Sequence, residues 1–132
     1  MGDENTKNRV HNWISQAQND VLWGKSSFRD NFWAQTCFIS QQAAVKALKA
    51  LAFHLGFDLV KTHSLWKIAQ KININGDIAE YSKVLDQYYI TGRYPDALPD
   101  CAPYELFTKK QAEDAIQMSE KILERVMNEL AK

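Results

Sequence analysis

At 132 residues the chain suits a single domain, 1–132, able to bury roughly two-thirds of the surface its unfolded form exposes. Sixteen basic and sixteen acidic side chains cancel and the pI is about 6.8, so the basic excess of proteins that grip many phosphates is missing and no strong nucleic-acid binding is expected. No apolar run approaches the ~20 residues of a membrane span and MGDENTKNRV has no signal-peptide core, which points to a cytoplasmic protein without membrane contact.

The first helix is expected from Asn5 or Thr6 to about Phe28, because Val10, Trp13, Ile14, Ala17, Val21 and Phe28 recur at helical spacing. SFRDN breaks it, with Asp30 or Asn31 as the expected N-cap of the next helix. That second helix runs from about Phe32 to Leu55 along Ala34, Phe38, Val45, Leu48, Ala52 and Leu55, and Gly56 ends it. A short third helix opens at Thr62 or Ser64 and carries Leu65, Ile68, Ala69 and Ile72. The fourth opens with Asp77 and Glu80, which resemble a capping box, and shows Ile78, Tyr81, Val84, Leu85 and Tyr88 on one side. A long loop from Gly92 to Phe107 follows, of the kind small domains keep for function. Thr108 and Gln111 cap the last helix, lined by Ala112, Ile116, Ser119, Ile122, Leu123, Val126 and Leu130. No segment alternates convincingly as a strand. The fold class is all-α: an up-down four-helix bundle with one additional short helix.

Cys37 lies in a helical pattern and Cys101 in a loop, without metal-ligand spacing to a second cysteine or a histidine. Two free thiols, and neither a metal nor a cofactor, are expected. Trp23, Phe28, Phe32 and Trp33 crowd the first connection, as core or as a contact between subunits of a homodimer.

YYITGRYPD, Tyr88 to Asp96, gathers Tyr88, Tyr89, Tyr94 and Arg93 where the fourth helix gives out. Pro95 restricts Tyr94 to turn or extended backbone, and Gly92 is a hinge before Arg93. Such a cluster serves either a buried ion pair or a site for an anion that carries a ring. Polar residues on the apolar stripes form the other candidates. Asp20, between Ala17 and Val21, needs a partner such as Arg93 or Lys49 if buried, or else acts as a base or holds water. Gln41 is placed for an interhelical hydrogen bond. Lys46 and Lys49 either wet one helix face or edge an anion site with Arg93. His63, at the start of the third helix, either caps backbone N–H groups or meets a phosphate there. His11 and His54 are read as surface residues, and Ser119 as close packing.

In order along the chain stand Trp13, Ala17 and Asp20-Val21-Leu22, then QQAAVKALKAL from Gln41, then His63-Ser64-Leu65, then Leu85 to Tyr89, then Thr91 to Asp96. Together these segments resemble the HEPN domain family, the helical partners of minimal nucleotidyltransferases. Val45 stands where that family often has glutamate after QQAA, and Gly92 interrupts a more usual Thr-Arg-Tyr-Pro. Ribonuclease members of the family carry an arginine followed four to six residues later by histidine, and Arg9, Arg29, Arg93 and Arg125 all lack one. The resemblance is therefore to the other branch. It implies a module that binds a nucleotide-like anion or docks a separately encoded minimal nucleotidyltransferase, in a toxin–antitoxin-like pair. Arg93 with Lys46 or Lys49 would meet phosphate, and Tyr88, Tyr89 or Tyr94 would stack on a base or donate a hydroxyl. Two alternatives are an atypical ribonuclease toxin built on Asp20, His63 and Arg93, and a helical interaction protein with no ligand.

Overall fold

The computed structural model describes residues 4–57, 61–91 and 101–132, and all regular structure among them is helical. In chain order the helices are α1 Glu4–Arg29, α2 Trp33–His54, α3 Leu65–Lys71, α4 Asp77–Asp86, α5 Tyr88–Thr91, α6 Pro103–Leu106 and α7 Lys109–Leu130. The one-turn helices α5 and α6 add to the expected set, α6 falling inside the stretch read as loop. None of the helices is long and apolar enough to cross a membrane.

Helix ends follow local chemistry. α1 stops because Asn31 turns left-handed at φ 67°, letting Phe32 N–H donate to Ser27 O at 2.9 Å and Asn31 N–H to Phe28 O at 3.1 Å. The expectation that Asp30 or Asn31 caps α2 is thereby overturned. Asn31 is spent ending α1, and Phe32 is the N-cap, with no side-chain cap bond. Gly56, at φ 99°, ends α2 by the same motif, and Asn73, at φ 60°, ends α3. Asp77 is not an N-cap either: Gly76 takes that place at φ 75°, so Asp77 and Glu80 act only as first-turn anions. Thr108 and Gln111 do form a reciprocal capping box, at 3.1 and 2.9 Å.

α2 is the axis of the fold. Every residue from Ile39 to Phe53 except Gln42 and Lys46 is buried, because α1 covers one side, α7 another, and α3, α4 and α5 the rest. Its alanines (Ala43, Ala44, Ala47, Ala50, Ala52) keep the backbones close. Gly24 of α1 answers them: a Cβ there would meet Ile39 Cγ2 at 3.2 Å. α7 buries Ala112, Ala115, Ile116, Ser119, Ile122 and Val126, and a 2.7 Å ion pair from Lys25 to Glu120 ties it to α1. Val45 is simply core, 3% exposed.

The aromatic corner divides. Phe28 and Trp33 pack together, ring centres 5.2 Å apart, against the core. Trp23 and Phe32 stay 60% and 53% exposed, with Leu22 beside Trp23 at 63%. Cys37 and Cys101 are both free, Cys37 buried in the core. Burial, aided by the charge of Asp114, pushes the Cys37 thiol up to about 12.

Candidate functional site

Polar side chains enter this apolar bundle along α2, in two neighbouring groups. The first surrounds Gln41, which is wholly buried. Its amide donates to His63 O at 2.8 Å and to Asp86 Oδ1 at 3.2 Å, and its own oxygen accepts from Gln42 Nε2 at 2.7 Å. The expected interhelical bond is therefore made, and its hub is Asp86. This carboxylate accepts four hydrogen bonds: from Gln41, from Ser64 Oγ at 2.9 Å, and from the Leu65 and Trp66 N–H groups at 2.8 and 3.1 Å. Thr62, His63, Ser64, Asp86 and Tyr89 line a cavity of about 280 Å³ there.

His63 does not cap α3, one of the two roles expected of it. The N-cap of α3 is Ser64, whose hydroxyl accepts from Lys67 N–H, while Thr62 Oγ1 accepts from Ser64 N–H at 3.0 Å. With Asp86 on the next two N–H groups, the first turn of α3 already holds an internal anion. The His63 ring instead stacks on Tyr89, 5.2 Å between centres and 14° between planes. Tyr89 also leans on Phe38 at 6.2 Å. Tyr88 turns the other way, edge-on to Phe107 at 5.5 Å, and burial raises its phenol above the ordinary value.

The second group joins α2 to α1. Asp20 is buried, and its partner is Lys46, not Lys49; Gln16 Nε2 adds a bond to Asp20 Oδ1 at 3.0 Å. Lys49 is itself 8% exposed, with its ammonium 5.7 Å from the centre of the Trp13 ring. Burial lowers its pKa. Trp13 packs on Phe53 at 6.0 Å, and the Arg9 guanidinium covers Phe53 at 4.1 Å. Asn12, Trp13, Gln16 and Lys46 line a second cavity of about 280 Å³.

Of the sequence candidates, the fold brings together Gln41, His63 and Tyr89 in one group and Asp20 with Lys46 in the other, with Lys49 one turn along. Tyr88 belongs to the core. Arg93 and Tyr94 lie outside the described residues. Sequence reasoning does not single out Asp86 or Trp13 as site residues. Asp86 looks like an ordinary helix-end acid until α3 is folded against it, and Trp13 fits an apolar stripe as well as a site. Among the described residues no three His, Cys, Asp or Glu side chains gather as metal ligands.

Comparison with known proteins agrees with the resemblance drawn from the sequence. The family model of the HEPN domain matches residues 10–130. A crystal structure of a protein from Thermus thermophilus has a TM-score of 0.86 at 34% identity, covering 92% of this chain and 98% of that one. An archaeal HEPN homologue gives a TM-score of 0.81 at 32% identity, with 91% and 96% covered. A HEPN domain protein from Thermotoga maritima gives 0.72 at 25% identity, with 92% and 99% covered. No curated protein matches.

Proposed function

The chain belongs to the HEPN domain family, and from that premise we propose that it is a non-catalytic module binding a nucleotide-like anion and docking a separately encoded minimal nucleotidyltransferase. It acts as a homodimer in a toxin–antitoxin-like pair.

The observation that carries this reading is the engagement of Asp86. A general base needs a lone pair free to take a proton. Asp86 instead accepts four hydrogen bonds and organises α3. The other carboxylate of the polar groups, Asp20, is held by Lys46 and Gln16. Asp20 and His63, two of the three residues of the atypical ribonuclease site, thus serve different clusters.

Binding is supported by the cations Lys46 and Lys49 on the α1 side of α2. Docking is supported by Leu22, Trp23 and Phe32, apolar side chains left exposed near the α1–α2 connection.

The test is a pull-down from native lysate with the purified protein as bait, beside an RNA-cleavage assay on the same preparation. Recovery of a nucleotidyltransferase without RNA cleavage is the expected result. Cleavage that disappears in His63→Ala, with no nucleotidyltransferase recovered, would establish the enzyme instead.

A further inference from the structure

Where the N-terminal half of α1 meets the last turns of α2 and α7, the bundle keeps a cavity of about 300 Å³. Its apolar wall is made by Val10 and Ile14 of α1 with Met127 and Leu130 of α7. Both pairs are about one turn apart, so each projects from a single face of its helix. Ile14 is buried, Val10 and Leu130 are half-buried against the core, and Met127 is 40% exposed. The wall thus runs from the core out to solvent.

The rim has the opposite character. Lys7, His11 and His54 line the same cavity and are all exposed. No aspartate or glutamate lines it, in a protein whose acidic and basic side chains are equal in number. Among the described residues Lys7 and His54 close no ion pair and no hydrogen bond, and Glu4, one turn before Lys7, does not pair with it. His11 meets only the Ser15 hydroxyl, at 3.5 Å. Basic groups of one sign around a low-dielectric hollow concentrate anions there.

Wall and rim together select a kind of ligand. An inorganic anion would gain nothing from the wall, and a neutral hydrocarbon nothing from the rim. The wall is aliphatic and carries no ring, so it offers a bed for a chain and no platform for stacking. Met127, unbranched and adaptable, can close over such a chain. At the ~30 Å³ that one molecule takes in liquid water, the cavity has room for about ten non-hydrogen atoms. That is the size of an eight-carbon acid.

We propose that this end cavity binds a medium-chain aliphatic carboxylate, its chain laid on Val10, Ile14, Met127 and Leu130 and its head among Lys7, His11 and His54. Lys7 supplies the fixed positive charge, and the two imidazoles donate hydrogen bonds to the carboxylate oxygens. The cavity shares no lining residue with those beside Gln41 and Asp20. Its ligand is independent of any nucleotide bound elsewhere on the protein.

Calorimetric titration at pH 7 with butanoate, octanoate and octylamine tests this on the wild type, Lys7→Gln and Met127→Glu, with a melting temperature for each. Lys7 is exposed and Met127 is 40% exposed, so both variants should melt within a few degrees of wild type. Octanoate is expected to bind wild type saturably, one per chain, and at least tenfold more tightly than butanoate, since each buried methylene is worth roughly fourfold. Met127→Glu, which sets a carboxylate against the chain, should lose at least tenfold in octanoate affinity, and Lys7→Gln at least threefold. Failure of octanoate to bind wild type at millimolar concentration would overturn the proposal. So would wild-type affinity in both variants, which would put the binding elsewhere. Octylamine binding as tightly as octanoate would overturn it too, because the rim would then not select for charge.

Discussion

Asp20 and Lys46, twenty-six residues apart, close an ion pair between α1 and α2 in which the carboxylate is 3% exposed and the lysine 26%. The asymmetry decides what a mutation does. Removing the lysine leaves a carboxylate in the interior with only Gln16 as donor among the described residues. Lys46→Met should therefore destabilise the fold by roughly 3 kcal/mol. Asp20→Asn in the same chain should return most of that loss. Urea unfolding of the two single variants and the double reads the coupling directly, and additive losses would show that the pair does not matter to stability.

Lys49 behaves in the opposite sense. Burial lowers its pKa below the ordinary 10.5, so the unfolded chain keeps this proton to higher pH than the folded one. Below the folded pKa both states are charged and the fold bears the full penalty of a partly desolvated ammonium. As pH rises from there towards 10.5 the folded state sheds its proton first and the penalty is relieved. Lys49→Met should accordingly be more stable than wild type at pH 7. That advantage should narrow as pH approaches 10.5. A constant difference across the alkaline range would mean the ammonium bears no penalty.

The two cysteines should differ in reactivity. With its thiol pushed up to about 12 and its sulfur in the core, Cys37 has almost no thiolate at pH 8 and no access for a reagent. Iodoacetamide should label native protein only at Cys101, which is partly accessible, and label Cys37 once urea has unfolded the chain. Peptide mass mapping before and after unfolding checks it.

Trp23 is 60% exposed, so Trp23→Glu should leave the melting temperature within a degree or two. In a homodimer joined near the α1–α2 connection the same charge would enter an apolar contact. Sedimentation at micromolar concentration should then show wild type as a dimer and the variant shifted to monomer. A monomeric wild type rules this assembly out.

Much of this fold is legible locally, and the exceptions share a cause. Gly56 and the Thr108–Gln111 box act within one turn of chain, and both stand where the spacing puts them. Asn31 misleads because asparagine suits both a helix N-cap and a left-handed helix end, and only the hydrogen bonds from residues 31 and 32 separate the two. Lys46 and Lys49 stand three positions apart, about 60° around a helix axis. The direction in which α1 crosses α2 gives Asp20 to the first and Trp13 to the second. Asp86 escapes notice as a site residue because its partner Gln41 is forty-five residues away. No local pattern carries that information.

Asp86 ends α4, yet its two oxygens hold the first N–H groups of α3 at 2.8 and 3.1 Å. Solvent exchange at the Leu65 and Trp66 amides is consequently gated by the far end of another helix. In deuterium-exchange experiments these two hydrogens should persist far longer than first-turn amides usually do, and Asp86→Ala should release them while the α1 and α2 amides stay protected. Their rates then give a timing signal for the detachment of α4 from the body of the protein, read at residues that α4 does not contain.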